Sequence, residues 1–596
     1  MTPPLPPHCT VLVIGSGNAG LSAAISAAQN GAESVLLVDK CPPSHAGGNT
    51  HFTAGAYRTT HAGAATLLPL VNKNNNNNDN NNENNNDDAP ATYSPEEVSI
   101  PPYPAAAFAA DIARVTDDRA DPSLAAVLVN DSLGAVRWLK ECAGVRWRLG
   151  VERQAYRVSV RDGDGGGGGD GDGGDGDDGG EGKGEGEGEA RPAARWRFWG
   201  GLALVTEGGG KGLVEDLLGA AARWGIRVVW GAGVVGLVVV GGGGGGGAAV
   251  DAAEKAEKKV VGAVLRHDGV DVPVLASGGV VLAAGGFEAN AAMRARFLGR
   301  EWGEEGRVRV RGTPFNTGEA LEVAVRDAGA ARAGDWAGCH AVAWDANAPR
   351  NEDGGGDRER TNEYTKSGYP LGVMVDVRGA RFVDEGADFR NYTYARVGRA
   401  VLGREEGVAF QVWDAVGAGM LRKEEYREEV VERIEAGSLE ELAERCEERG
   451  LRDPEAFVGT IRRFNEAATR HRERHPERVF NPAAKDGVAT EPGMLDVPKS
   501  NWALPIEKPP FLAVKVGCGI TFTFGGLAVE PETAAVMSES TGKPIDGLYA
   551  VGEMLGGLFY GNYPGGSGLT AGTVWGRRAG RDAAKRAQKE KGATRL

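Results

Sequence analysis

Apolar and polar positions alternate in blocks near the start of the chain, where residues 10 to 40 read TVLVIGSGNAGLSAAISAAQNGAESVLLVDK. The continuous apolar run Val11 to Ile14 predicts a buried strand, and the small-residue stretch from Asn18 to Gln29 predicts a helix. A second apolar run from Val35 to Val38 ends in Asp39 and predicts the next strand. The same block pattern returns late: VVLAAGGF at 280 to 287 reads as a glycine-terminated strand. Residues 547 to 580 read as a strand, the pair Gly552-Glu553, and a glycine-rich entry into a final helix. GGGKGL at 208 to 213 is a turn before a helix from Leu213 to Trp224. It is not a phosphate loop, because Gly212 follows Lys211 where Ser or Thr would be needed for magnesium.

Two tracts carry no periodicity. Residues 72 to 88 are rich in asparagine and residues 162 to 190 are almost entirely Gly, Asp and Glu. Neither has the apolar surface to offset chain entropy, so both are expected to be disordered insertions. The second holds eleven carboxylates and one lysine, a net of −10 within the chain's −15, so the total charge implies no acidic or basic partner. No basic face interleaved with aromatics suggests nucleic acid, and no apolar run is long enough for a membrane span. The cysteines Cys9, Cys41, Cys142, Cys339, Cys446 and Cys518 include no CxxC pair, which argues against a zinc site or a disulfide framework. A cytoplasmic location is expected. The C-terminal KGATRL, a near miss to the peroxisomal tripeptide, is the lesser alternative.

The chemistry begins with the predicted strand, turn and helix at the N-terminus. Gly15, Gly17 and Gly20 have G-x-G-x-x-G spacing: a tight turn, a close approach to a pyrophosphate, and close packing of helix on strand. Asp39 stands where an acidic residue accepts hydrogen bonds from a ribose diol. The motif predicts dinucleotide binding and leaves NAD or FAD open. GGNT at 47 to 50 and the late glycine clusters favour FAD, since completing an NAD domain with the last fifty residues would be unusual.

On VLVIGSGNAGLSAA, GGNTHFTAG, GDWAGCHAVAWD, RFVDEGADFRNYTYA, GITFTFGGLAV and the C-terminal stretch, the chain resembles the flavoprotein subunits of fumarate reductase and succinate dehydrogenase with their soluble relatives. Within them it is most similar to the FAD-dependent tricarballylate dehydrogenases. The resemblance implies an α/β fold, α+β overall: a Rossmann-like FAD-binding domain (8–332 and 520–590) interrupted by an α+β capping domain (333–519). It implies noncovalent FAD held by Gly15, Gly17, Asn18, Ala19, Gly20, Asp39 and Lys40 and by Gly47, Gly48, Asn49 and Thr50. Ala284, Gly285 and Gly286 would lie against the adenylate half, Gly552 and Glu553 at the ribityl chain, and Gly566, Ser567 and Leu569 at the reduced flavin. His51 lies near the position where succinate dehydrogenases attach FAD, but that position aligns with Asn49.

The implied substrate side comprises Arg390, in the segment resembling the one that carries a proton-transfer arginine, and His340, matching a substrate-contacting histidine. Tyr392 and Tyr394 are candidate donors. Two departures stand out. Thr521 and Phe522 replace a second substrate histidine, and Tyr563 replaces a loop arginine, which argues against ordinary fumarate reduction. The expected function is an FAD-dependent dehydrogenase or reductase acting on a C-C bond next to a carboxylate or carbonyl, with a separate electron acceptor as a possible partner. The alternatives are a 3-ketosteroid dehydrogenase-like flavoenzyme and a flavin-loaded redox-sensing or binding protein without turnover.

Overall fold

The computed structural model describes residues 4–72, 93–94, 97–159, 194–199, 201–241, 258–304 and 306–594. Apart from Asn72, the tracts 72–88 and 162–190 expected to be insertions lie outside the described residues. The elements that position the site are, in order, β1 (Val11–Ile14), α1 (Asn18–Gln29), β2 (Val35–Asp39), α2 (Gly209–Arg223), β3 (Arg227–Trp230), β4 (Ala232–Val240), β5 (Lys259–His267), β6 (Val270–Ala276) and β7 (Val280–Leu282). They continue as β8 (Val308–Val310), β9 (Arg332–Asp345), β10 (Val373–Asp376), β11 (Ala409–Trp413), α3 (Leu439–Glu447), α4 (Pro454–Arg474), β12 (Phe511–Leu527), β13 (Pro544–Ala550) and α5 (Ser567–Thr594).

The first sheet has a parallel core in the order β13-β7-β1-β2-β3. Its central strands are fully buried, as expected of a parallel sheet covered on both faces. β5 joins the edge beside β13, and β4 and β6 flank β5 antiparallel. β1 thus lies between β7 and β2, strands from distant parts of the chain, and the glycine turn leaves its carboxyl end. In open α/β sheets that is where ligands bind.

Helix α1 packs against α5, and small residues set the closeness. A Cβ on Gly576 would lie 2.5 Å from the Ala19 carbonyl oxygen, and one on Gly580 would lie 2.1 Å from that of Ala23. Ser26 Oγ donates to the Arg577 carbonyl at 2.8 Å, and Asn18 Nδ2 donates to that of Leu569 at 2.8 Å. The last helix is therefore clamped on the first.

The second sheet is built on β12, a 17-residue strand that pairs with β8 parallel and with β9 and β11 antiparallel. β10 continues the sheet beyond β11. Helices α3 and α4 pack their buried faces on one another and on this sheet, with their charged residues outward. Residue 520, the expected start of the second FAD segment, falls inside β12, and residues 308–310 pair with the same strand.

Candidate functional site

A cavity of about 630 Å³ runs from the carboxyl end of β1 to the face of β12. Its first half is the glycine cradle. Gly15 has φ +112°, and a Cβ there would sit 2.2 Å from the Ala283 carbonyl oxygen, so only glycine makes this turn. Gly17 caps α1, whose N-terminus opens on the cavity, and Gly566 before α5 and Gly568 in its first turn come to the same space. Such helix starts favour anions. Asp39 stands beside the turn: Oδ2 accepts from Ser16 N and Oγ, both at 2.7 Å, and Oδ1 from Cys41 N at 3.0 Å. Lys40, beside it, pairs with Glu319 at 2.9 Å.

Of the residues expected to hold cofactor, Gly15, Gly17, Asn18, Ala19, Asp39, Lys40, Gly48, Asn49, Thr50, Ala284, Gly285, Gly552, Glu553, Gly566 and Leu569 line this cavity. Gly20, Gly47, Gly286 and Ser567 stand behind it. A Cβ on Gly20 would strike the Gly15 carbonyl, one on Gly47 would strike Val214, and one on Gly286 would meet Glu553 and Thr523. Ser567 is buried, its hydroxyl bonded to the Pro564 carbonyl at 2.6 Å. The His51 ring contacts the Arg358 carbonyl and guanidinium, at 3.0 Å each, outside the cavity lining.

The glycine turn, two helix N-termini and the Asp39 carboxylate fit a dinucleotide pyrophosphate and ribose. Asn49 and Glu553 extend the lining toward the second sheet. Glu288 and Asn316 stand with them, although neither was singled out in the sequence. Asn49 Nδ2 donates to Glu288 Oε1 at 2.5 Å and to the Thr521 carbonyl at 2.7 Å, while Thr313 N donates to Asn49 Oδ1 at 3.0 Å.

The second half of the cavity is walled by His340, Tyr394, Phe522, Phe524, Phe559 and Tyr563. Tyr563 meets His340 edge-on at 4.9 Å and Phe522 at 5.0 Å between ring centroids. His340 Nδ1 is buried without a hydrogen-bond partner among the described residues. Burial, aided by the Arg311 charge, holds its pKa well below the usual 6.5, so the ring is neutral. Burial likewise raises the Tyr563 phenol, which stays protonated. Arg311, following β8, donates to Thr521 Oγ1 at 3.2 Å and Asn362 Oδ1 at 3.4 Å and brings a guanidinium to the wall.

The structure divides the four expected catalytic residues. His340 and Tyr563 line the cavity together. Arg390 and Tyr392 do not, because the single 3₁₀ turn Arg390–Tyr392 points their side chains elsewhere. Tyr392 donates to Asp111 at 2.6 Å and accepts from Arg58 at 2.9 Å, behind the C-terminal loop. Arg390 lines an adjoining cavity of about 280 Å³, its guanidinium 5.2 Å from the Trp199 ring centre. Tyr394, two residues after Tyr392, is the tyrosine of this segment that reaches the main cavity.

Arg422 and Glu425 line both cavities. Arg422 pairs with Glu425, whose Oε2 accepts from Ser367 N at 2.9 Å and Oγ at 2.6 Å; Arg390 donates to the same Oγ at 3.2 Å. Arg422 and Glu425 sit in the charged run LRKEEYREE, which has no motif to set it apart from a solvated surface. Arg311 offers one weak signal, the last cation of the alternating run RVRVR directly before Gly-Thr-Pro.

Comparison with known proteins agrees with this geometry. A family profile described as an FAD binding domain matches residues 10–66 and 104–569. The 4-oxocyclohex-2-ene-1-carboxylate 5-dehydrogenase of Sinomonas cyclohexanicum is 28% identical over 323 residues, 52% of this chain and 51% of that protein. The probable fumarate reductase Ifc3 of Shewanella frigidimarina is 40% identical over 108 residues, 18% of this chain and 17% of that one. The chain thus spans about half or less of the length of these curated relatives. Among solved structures, 3-ketosteroid delta1-dehydrogenase from Sterolibacterium denitrificans superposes with TM-score 0.63 at 18% identity, covering 97% of this chain and 100% of that one. A flavocytochrome c3 fumarate reductase gives TM-score 0.60 at 23% identity, covering 97% and 78%. These two likenesses show a shared fold. The glycine cradle and the profile match over most of the chain lead to one conclusion: this protein belongs to the FAD-binding flavoprotein family of the fumarate reductase and succinate dehydrogenase type, with FAD as its cofactor.

Proposed function

We propose that the chain is an FAD-dependent dehydrogenase or reductase that moves two electrons at a C-C bond next to a carbonyl or carboxylate. The observation that carries this reading is the continuity of the glycine cradle with a cleft that combines a neutral His340, a protonated Tyr563 and the Arg311 cation. Bound FAD supplies the hydride-accepting ring nitrogen. The protein's part is to hold the substrate C-H against that ring and to move a proton at the adjacent carbon.

Negative charge developing on the substrate carbonyl or carboxylate during proton loss calls for donors facing that oxygen. Arg311 and Tyr563 are those donors, with the open His340 nitrogen beside them. Phe522, Phe524 and Phe559 wall off water and receive an apolar substrate body. Glu425 is the proton acceptor of the cleft. Its links to Arg422, Ser367 and Arg390 lead into the second cavity, so Arg390 acts at the outer end of this chain and not on the substrate itself.

This inventory favours a substrate with a carbonyl or a single carboxylate on an apolar ring over the three carboxylates of tricarballylate. The 4-oxocyclohexene carboxylate dehydrogenase relative is consistent with that preference, and the aromatic wall keeps a 3-ketosteroid as the second reading. Anaerobic mixing of the FAD-loaded protein with cyclic keto acids, a 3-ketosteroid, succinate and tricarballylate tests the order. Bleaching of the flavin by cyclic keto acids first is expected. Bleaching by tricarballylate or succinate alone would overturn the substrate class, and bleaching by none would leave a flavin-loaded binding protein.

A further inference from the structure

Glu288 and Glu553 meet at the cofactor cavity wall. Glu288 is fully buried at the end of the AAGGF turn; Glu553 lines the cavity. Asn316 Nδ2 bridges them, donating to Glu288 Oε1 at 2.7 Å and to Glu553 Oε2 at 3.4 Å. Glu553 Oε1 accepts from Thr523 N at 2.6 Å and Thr523 Oγ1 at 3.0 Å. Glu288 Oε2 is buried without a hydrogen-bond partner among the described residues, and the Glu553 carboxyl is close enough to raise Glu288 by its charge. No cation forms a salt bridge with either carboxyl group among the described residues. Arg294, a guanidinium beside Glu288, spends its hydrogen bonds on the Glu288 and Trp302 backbone carbonyls. A further titratable neighbour is Cys339 of β9, a buried thiol raised to about 12 and therefore neutral.

Two ionised carboxylates cannot share such a site, since burial and mutual repulsion both disfavour the second charge. We propose that Glu288 and Glu553 hold one proton between them, and that Glu288 is a positioning residue of the flavin cradle acting through Glu553 and Asn49. Protonated Glu288 donates to Glu553, which leaves the outer oxygen of Glu553 as an acceptor for the hydroxyls of the FAD ribityl chain. The other Glu288 oxygen fixes the Asn49 amide. The inference rests on FAD binding in this cavity.

The test is the FAD dissociation constant from about pH 5 to about pH 9 for wild type, Glu288→Gln and Glu288→Leu. Gln reproduces the protonated acid, accepting from Asn49 and donating to Glu553. Wild-type affinity should weaken by about tenfold or more across the alkaline half as the shared proton leaves. Glu288→Gln should stay within about threefold of the wild-type affinity near neutrality and lose the pH dependence, whereas Glu288→Leu should bind weakly throughout. A wild-type slope retained in Glu288→Gln would overturn the shared proton, as would a Gln variant as weak as the Leu variant. Should Glu288→Gln fail to fold, Glu553→Gln places the carboxamide on the other side, and a slope retained there would likewise overturn the proposal. Tight wild-type binding with no slope would refute the pair alone, whereas no binding at any pH would refute the cofactor assignment as well.

Discussion

The residue that most separates the sequence reading from the structure is Arg390. A proton-transfer arginine must touch the substrate or a group that does; Arg390 lines the adjoining cavity, where it donates to Ser367 Oγ, which in turn donates to Glu425. Arg311 holds the position facing the cavity. Replacing Arg311 with Gln should lower the rate of flavin reduction by ~10²–10³-fold, the usual cost of losing one donor to a developing oxyanion. Tyr392→Phe should leave that rate within about threefold and cost about 1 kcal/mol of stability, because its hydroxyl serves Arg58 and Asp111. Rapid-mixing absorbance on both variants checks the pair.

The buried carboxyls add a pH signature. Glu553 is raised from 4.5 to about 7 and Glu288 well above 4.5, chiefly by burial. Between those values the folded state keeps protons that the unfolded chain has released. Stability should therefore fall as pH rises from 4.5 through about 7 and be unaffected by this pair below 4.5. Urea unfolding across that range measures it, and Glu288→Gln should flatten the fall.

Among the elements, the first βαβ unit was fully legible: the apolar runs, the helix from Asn18 to Gln29 and Asp39 at the strand end all appear where the pattern put them. A local signal with its own physical reason survives folding. The pairing of α5 with α1 was not legible in detail, because glycines spaced four apart in TAGTVWGRRAG gain meaning only when Ala19 and Ala23 face them. Gly580→Val should cost about 1–3 kcal/mol through forced separation of the helices. It should also weaken FAD binding, since Asn18 and Leu569 move with them. Thermal unfolding with and without FAD would show both effects, and an unchanged midpoint would refute the close packing.

The loop GNYPGGSG lies between these cases. The sequence points to its glycines and Tyr563 as cofactor and substrate contacts, and Tyr563 lines the cleft. Asn562 turns out to fix the loop, donating to the Tyr392 carbonyl and accepting from Tyr563 N at 2.8 Å. Arg311, Arg422, Glu425 and Glu288 escaped the sequence reading because no short motif carries them; they converge only through the second sheet and the turn after β7.

In the whole molecule, the cofactor cavity draws its walls from both ends of the chain and from β12 of the second sheet. A ligand that bridges such distant segments stabilises all of them at once. Saturating FAD, at about 100 times its dissociation constant, should add about 2.7 kcal/mol to unfolding, read as a concentration-dependent shift of the thermal midpoint. Among the described residues no helix is long and apolar enough to cross a membrane.

The function proposed for this cavity is carbon-carbon redox chemistry with bound FAD. Its most direct test is the absorbance of the FAD-loaded protein, followed anaerobically on mixing with cyclic keto acids and then with their unsaturated counterparts. Bleaching by the saturated compounds, recovery by the unsaturated ones, and loss of both in Arg311→Gln are expected. A fully loaded flavin whose spectrum neither bleaches nor recovers with any carbonyl or carboxylate compound would contradict it.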